Sequence, residues 1–142
     1  MNPTIEKFGY PATLLKELEY WVILLRPAQV TLGSLILAAK SDATAYSQLL
    51  PEAFAEQALA VQLIEAALSD FCAFERINYL MLMMVDPNVH FHVIPRYSEP
   101  RLWSGIEFPD VGWPAVPQLG VATELAAEQF RKLTQELAEK FH

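Results

Sequence analysis

Cysteine is almost missing from this chain: Cys72 is the only one in 142 residues, so neither an internal disulfide nor a Cys-x-x-Cys zinc pair can form. Set between Phe71 and Ala73, this thiol reads as a buried spectator and not a reactive group. A reducing cytoplasm is the expected setting. Long apolar runs are missing too. The longest, such as Trp21–Leu25 and Leu80–Val85, fall far short of the roughly 20 residues that cross a bilayer, so no membrane partner is expected. Glu6, Lys7, Lys16, Glu17 and Glu19 interrupt any signal-peptide core near the start. Basic residues are scarce, 10 Lys and Arg against 17 Asp and Glu, for a net charge of −7. That balance argues against nucleic acid, whose phosphate backbone needs a dense basic patch. A small phosphate-bearing ligand remains compatible, because a few well-placed cations suffice for it.

What is present is apolar material for a core. The chain is 53% hydrophobic, 11% aromatic and 19% charged, too apolar for intrinsic disorder. Residues 1–142 are expected to form a single domain, and chains of this length bury roughly 70% of their unfolded surface. A short helix is predicted over Ala12–Leu18. Tyr20–Arg26 (YWVILLR) and Gly33–Lys40 (GSLILAAK) read as strands of a hairpin. Pro51–Asp70 is the main helix, with Phe54, Ala58, Val61, Ile64 and Leu68 forming its apolar stripe. Arg76–Val85 (RINYLMLMMV) reads as a strand buried on both faces, followed by a turn at Asp86–Pro87 and a further strand over Asn88–Arg96. Five of the ten prolines and three of the five glycines fall between Pro95 and Gly120, so residues 98–120 read as an ordered loop. A helix from Glu124 to Phe141 is predicted to close the chain, capped by Thr123, with Ala126, Phe130, Leu133, Leu137 and Phe141 as its stripe. The fold class is α+β.

Chemistry concentrates on one segment. Asn88-Val89-His90-Phe91-His92-Val93 alternates polar and apolar, and in a strand residues i and i+2 share a face. Val89, Phe91 and Val93 anchor the strand in the core, while Asn88, His90 and His92 line up on the other side, roughly 6–7 Å apart at Cα. Two of the three histidines sit here. Several uses fit such a pair. The rings are solvated on an open sheet face, or they ligate zinc or copper, or they do acid–base work without a cofactor, or one is a nucleophile toward phosphorus. For a metal, a third ligand would have to come from elsewhere, and Arg96, just past the pair, repels a cation. For nucleophilic attack, a neutral imidazole is competent near neutrality, with a neighbouring donor to steady the growing phosphoryl charge.

Asn88–Tyr97 (NVHFHVIPRY) resembles the signature of the histidine triad family, His-φ-His-φ-His-φ-φ with Pro-Arg often following. Over Trp21–Tyr97 the order hairpin, helix, strand, motif strand is similar to that family as well, a core of about residues 20–97. The resemblance implies a histidine-triad-like antiparallel sheet of four to five strands with one main helix and a C-terminal helix. It implies that His90 takes up a nucleoside monophosphoryl group and that His92 contacts the phosphate. Asn88 stands where the family has its first histidine, and an amide can orient a neighbour but cannot exchange a proton near neutrality. The glycine- and glutamine-containing loop that precedes the motif in many members is reduced to Val85-Asp86-Pro87. Arg96, Asn78, Arg26 and Arg101 are candidates to hold the substrate, and Trp103 or Trp113 to stack on a base. The activity implied is hydrolysis or transfer of a nucleotidyl group from a nucleoside phosphoramidate or dinucleoside polyphosphate. No resident cofactor or metal is expected, magnesium entering only with a polyphosphate, and the assembly implied is a homodimer. The alternatives are a non-catalytic nucleotide-binding domain of the same fold and a histidine-based metal-binding protein.

Overall fold

The structure, a computed structural model, describes residues 1–142. Helix α1 (Pro3–Lys7) is followed by strands β1 (Leu14–Glu17), β2 (Trp21–Leu25) and β3 (Leu35–Ala39), helix α2 (Pro51–Cys72), strands β4 (Arg76–Leu80) and β5 (His90–Arg96), a hairpin of β6 (Arg101–Trp103) and β7 (Ile106–Phe108), and helix α3 (Ala127–Ala138). Strands β1 to β5 form one antiparallel sheet in the order β1-β2-β3-β5-β4, which places the motif strand between β3 and β4.

The sheet sorts its side chains by parity. Trp21, Ile23 and Leu25 of β2, Leu35 and Leu37 of β3, and Val93 of β5 join Ala60, Ile64, Ala67 and Leu68 of α2 and Leu133 and Leu137 of α3 in the main core. On the opposite face Val22, Leu24, Ile36 and Ala38 are covered by the N-terminal segment through Ile5, Phe8 and Tyr10. Residues 88, 90 and 92 belong to that second face. The helix stripe lies slightly round from its predicted line. Ala53, Ala60, Ile64, Ala67 and Leu68 are buried, small residues letting the helix approach the sheet, while Phe54 is 39% exposed and rests against Tyr46.

Four sequence expectations are corrected. Ala12–Leu18 is not helical: residues 14–17 pair with β2, and edge pairing overrides the helix preference of Leu, Lys and Glu. The real helix lies earlier, turned into β1 at Gly9, whose φ of +95 and 2.7 Å clearance to Thr13 Cγ2 at a built Cβ admit only glycine. Strand β4 ends at Leu80 and is a half-exposed edge strand, not a strand buried on both faces, since its only partner is β5. Residues 98–120 contain a hairpin whose turn, Ser104-Gly105, has positive φ at both positions (+51 and +75), the two-residue geometry that matches strand twist. Helix α3 begins at Ala127; Thr123 does not cap it but bridges to Gln29, and the Gln129 side chain accepts from the Ala126 N–H instead.

Candidate active site

The two imidazoles lie side by side on the face covered by the N-terminal segment, with ring centroids 5.2 Å apart. Phe8 packs against both, at 5.6 Å from His90 and 5.8 Å from His92. The residues are 1% and 7% exposed. Beside them opens a cavity of about 150 Å³ lined by His90, His92 and the loop Leu82–Asp86. The alternation thus delivers what the motif requires: two rings facing one hollow, held by Val89 and Val93 behind them.

Hydrogen bonds fix which nitrogen of each ring carries the proton. His90 Nδ1 lies 2.7 Å from the Asn88 carbonyl oxygen. A carbonyl can only accept, so Nδ1 is the N–H, and in the neutral ring Nε2 bears the lone pair. At His92 the polarity is reversed. Arg26 Nε donates to His92 Nδ1 at 3.2 Å, and a guanidinium can only donate, so the neutral ring keeps its proton on Nε2. Burial, and then the charges of Arg26 and His90, push His92 down to about 4, which keeps it neutral. Neither Nε2 has a protein partner, and no fully buried side-chain nitrogen or oxygen in the protein goes unbonded, so both Nε2 atoms open to solvent. The site pairs a lone pair on His90 with an N–H on His92.

Asn88 is fixed by partners the sequence does not advertise. Its Oδ1 accepts from Thr4 Oγ1 at 2.9 Å, its backbone N–H donates to the same hydroxyl at 3.2 Å, and its Nδ2 donates to the Asp42 carbonyl at 3.0 Å. Both ends of the amide are therefore engaged, and what Asn88 offers His90 is its backbone carbonyl. Lys7 reaches across the cavity rim to Asp86 at 2.8 Å, tying α1 to the lining loop and neutralising the one carboxylate there.

Of the four candidate substrate-binding residues, the structure brings only Arg26 to the histidines, and its Nη1 also donates to the Ala28 carbonyl. Arg96 lies at the far end of β5. It forms a two-point ion pair with Asp110 at 2.7 and 3.1 Å and donates to Asn78 Oδ1 and the Ala115 carbonyl at 2.8 Å each. Asn78 is thereby engaged as well and hydrogen-bonds neither histidine. Arg101 donates to the Cys72 and Ala73 carbonyls at the end of α2 and stacks on Tyr97 at 4.4 Å. Trp103 is 9% exposed and donates to Glu136, so it is not a free stacking surface. Trp113 lines a separate, roomier cleft of about 780 Å³ between β4 and residues 113–117, whose lining includes neither histidine. Cys72 is buried, donates to the Leu68 carbonyl, and is pushed up to about 12 by burial, far from thiolate chemistry. No cluster of three or more His, Cys, Asp or Glu side chains gathers as a metal-ligand set.

The site residues missing from the sequence reading are Thr4, Lys7 and Phe8. They sit more than eighty positions from the motif in the case of Thr4 and Asn88 (84), and no local pattern announces such a contact.

No family model matches the sequence, and no curated protein matches it. Solved structures do. A histidine triad protein from Sinorhizobium meliloti 1021 superposes with a TM-score of 0.74 at 22% identity, over 99% of this chain and 95% of that one. A hypothetical histidine triad nucleotide-binding protein from Sulfolobus tokodaii gives 0.67 at 21% identity, over 97% and 89%. The diadenosine triphosphate hydrolase of Plasmodium falciparum gives 0.66 at 11% identity, over 96% and 92%. The chain has the fold of the histidine triad proteins.

Proposed function

We propose that the protein is a nucleotidyl hydrolase or transferase in which His90 Nε2 attacks the phosphorus of a nucleotide and carries the nucleotidyl group until water or another acceptor removes it. The observation that carries this reading is the opposed protonation of the two rings: a lone pair on His90 lies next to an N–H on His92, at one cavity. Attack needs the first, and the phosphoryl oxygens that gain charge need the second. The Asn88 carbonyl, bonded to His90 Nδ1–H, steadies the positive charge that the ring acquires when Nε2 is substituted. Arg26, behind His92, holds that ring's N–H toward the cavity. Asn88 takes no part in proton transfer; its side chain fixes the carbonyl that orients His90. The substrate is a small nucleotide, the covalent step uses no metal, and the working form is a homodimer.

The experiment is turnover of a fluorogenic nucleoside phosphoramidate by the native protein and by His90→Ala. The expected result is loss of a factor of about 10³ or more, in line with removal of a nucleophile. Equal rates in both proteins overturn the assignment. A reading without catalysis is favoured by one feature, the Phe8 ring packed on both imidazoles. It predicts calorimetric binding of a nucleoside monophosphate with no turnover of any phosphoester.

A further inference from the structure

The two histidines are covered more completely than their chemistry allows. His90 is 1% exposed, and the cavity beside the rings holds about 150 Å³. Sites that take a small organic ligand run to roughly 300–1,000 Å³. Water reaches both Nε2 atoms, but there is no room for a phosphorus with four substituents, so part of the cover has to move. The strands are not that part: β3 and β4 flank β5 in the sheet, with Ala38 opposite His90 and with Ile36 and Leu80 opposite His92. Helix α1 is pinned as well. Ile5 is fully buried, Asn2 donates to the Ala39 and Ser41 carbonyls, and Thr4 donates to the Asn88 side chain. Two covers remain. Phe8 is only half-buried, although its ring rests on both imidazoles. The Thr13 hydroxyl holds the Phe8 carbonyl at 2.8 Å, so the backbone stays in place and the ring is what turns. The other cover is the loop Leu82–Asp86, the opposite wall of the cavity. Lys7, the neighbour of Phe8, clasps the two walls together through Asp86 at 2.8 Å, with 53% of the lysine side chain exposed. So wet an ion pair is weak and is screened by salt.

We propose that Lys7 and Phe8 form a closed gate over His90 and His92: a nucleotide enters when the Lys7–Asp86 pair parts and the Phe8 ring turns away from the imidazoles. The nucleotide as visitor rests on the reading of His90 as nucleophile; the gate rests on the cover alone.

The test measures access to the ring without any nucleotide. Diethyl pyrocarbonate acylates an imidazole nitrogen that carries a lone pair, here His90 Nε2, and peptide mass spectrometry reads the rate against the exposed His142 of the same chain. In the native protein His90 is expected to react at least about tenfold more slowly than His142, and Phe8→Ala to raise the His90 rate about tenfold. Lys7→Gln, at a position too exposed to threaten folding, should raise it about threefold, the worth of such a pair, and should abolish the acceleration that added salt gives the native protein. A native His90 that reacts as fast as His142, or a folded variant that stays at the native rate, overturns the gate. Turnover of the fluorogenic nucleoside phosphoramidate keeps the two readings apart. A higher kcat/KM in Phe8→Ala supports both, whereas faster acylation with no turnover by any of the proteins keeps the gate and removes His90 as nucleophile.

Discussion

The two ends of strand β5 carry buried polar groups of equal concealment and opposite character. At one end Arg96, with 4% of its side chain exposed, is bonded at each of its three side-chain nitrogens: Asp110, Asn78 and the Ala115 carbonyl occupy its fork. At the other end His90 and His92 each have one ring nitrogen bonded and one open to a cavity. A fully matched polar group holds the fold together, and a half-matched one is available to a ligand. Burial and residue type alone do not separate the two cases; the count of bonds does. The roomier cleft near Arg96 illustrates the same point, since its size exceeds that of the histidine cavity but its charged floor is already bonded.

This contrast is sharpest in energy at the Arg96 end. Asp110→Ala leaves a buried guanidinium without its carboxylate, and urea unfolding should show a loss of about 3–5 kcal/mol. Replacing both partners with apolar residues, Arg96→Met with Asp110→Leu, should recover most of it. The same double variant should retain turnover that depends on His90; a large fall in kcat/KM would mean that Arg96 serves the site after all.

At the histidine end the expected signature is a pH dependence. His92 titrates at about 4 in the folded chain and near 6.5 in the unfolded one. Between those values the unfolded state binds more protons, so stability is complete above about pH 6.5 and is lost as pH falls toward 4, by up to about 3 kcal/mol. Unfolding midpoints measured across that range should slope for the native protein and flatten in His92→Asn. A slope unchanged by the substitution would place the titration on another group.

The smallest effect concerns Thr4. Thr4→Val removes the hydroxyl that both accepts the Asn88 N–H and donates to its Oδ1. The expected cost is about 1–2 kcal/mol from buried groups left unbonded. Because the Asn88 carbonyl orients His90, kcat should fall while KM changes little. Unaltered kcat together with the stability loss would confine Thr4 to a structural part.

Much of this was readable beforehand, for identifiable reasons. Strict alternation from Asn88 to Val93 put both imidazoles on one face, because a strand allows no other arrangement. The helix expected over Pro51–Asp70 from its period and its proline is present and runs on to Cys72. Leu80–Val85 misled, since an apolar run looks alike in a buried strand and on the rim of a pocket, and only pairing with β5 showed where the strand stopped. The hairpin turning at Ser104-Gly105 was not read from the sequence, because the density of breakers around it made residues 98–120 look like a loop throughout.

The amino-acid order by itself determined the α+β composition, the motif strand and the parity of its side chains, all of which are local consequences of backbone periodicity. Which polar groups were left with a free valence was decided by tertiary structure alone. Arg26, Thr4, Lys7 and Phe8 reach the motif from distant positions, and Asp110 and Asn78 remove Arg96 from it. A hydrogen-bond partner from far along the chain is chosen by packing, and packing has no signature in a window of neighbouring residues.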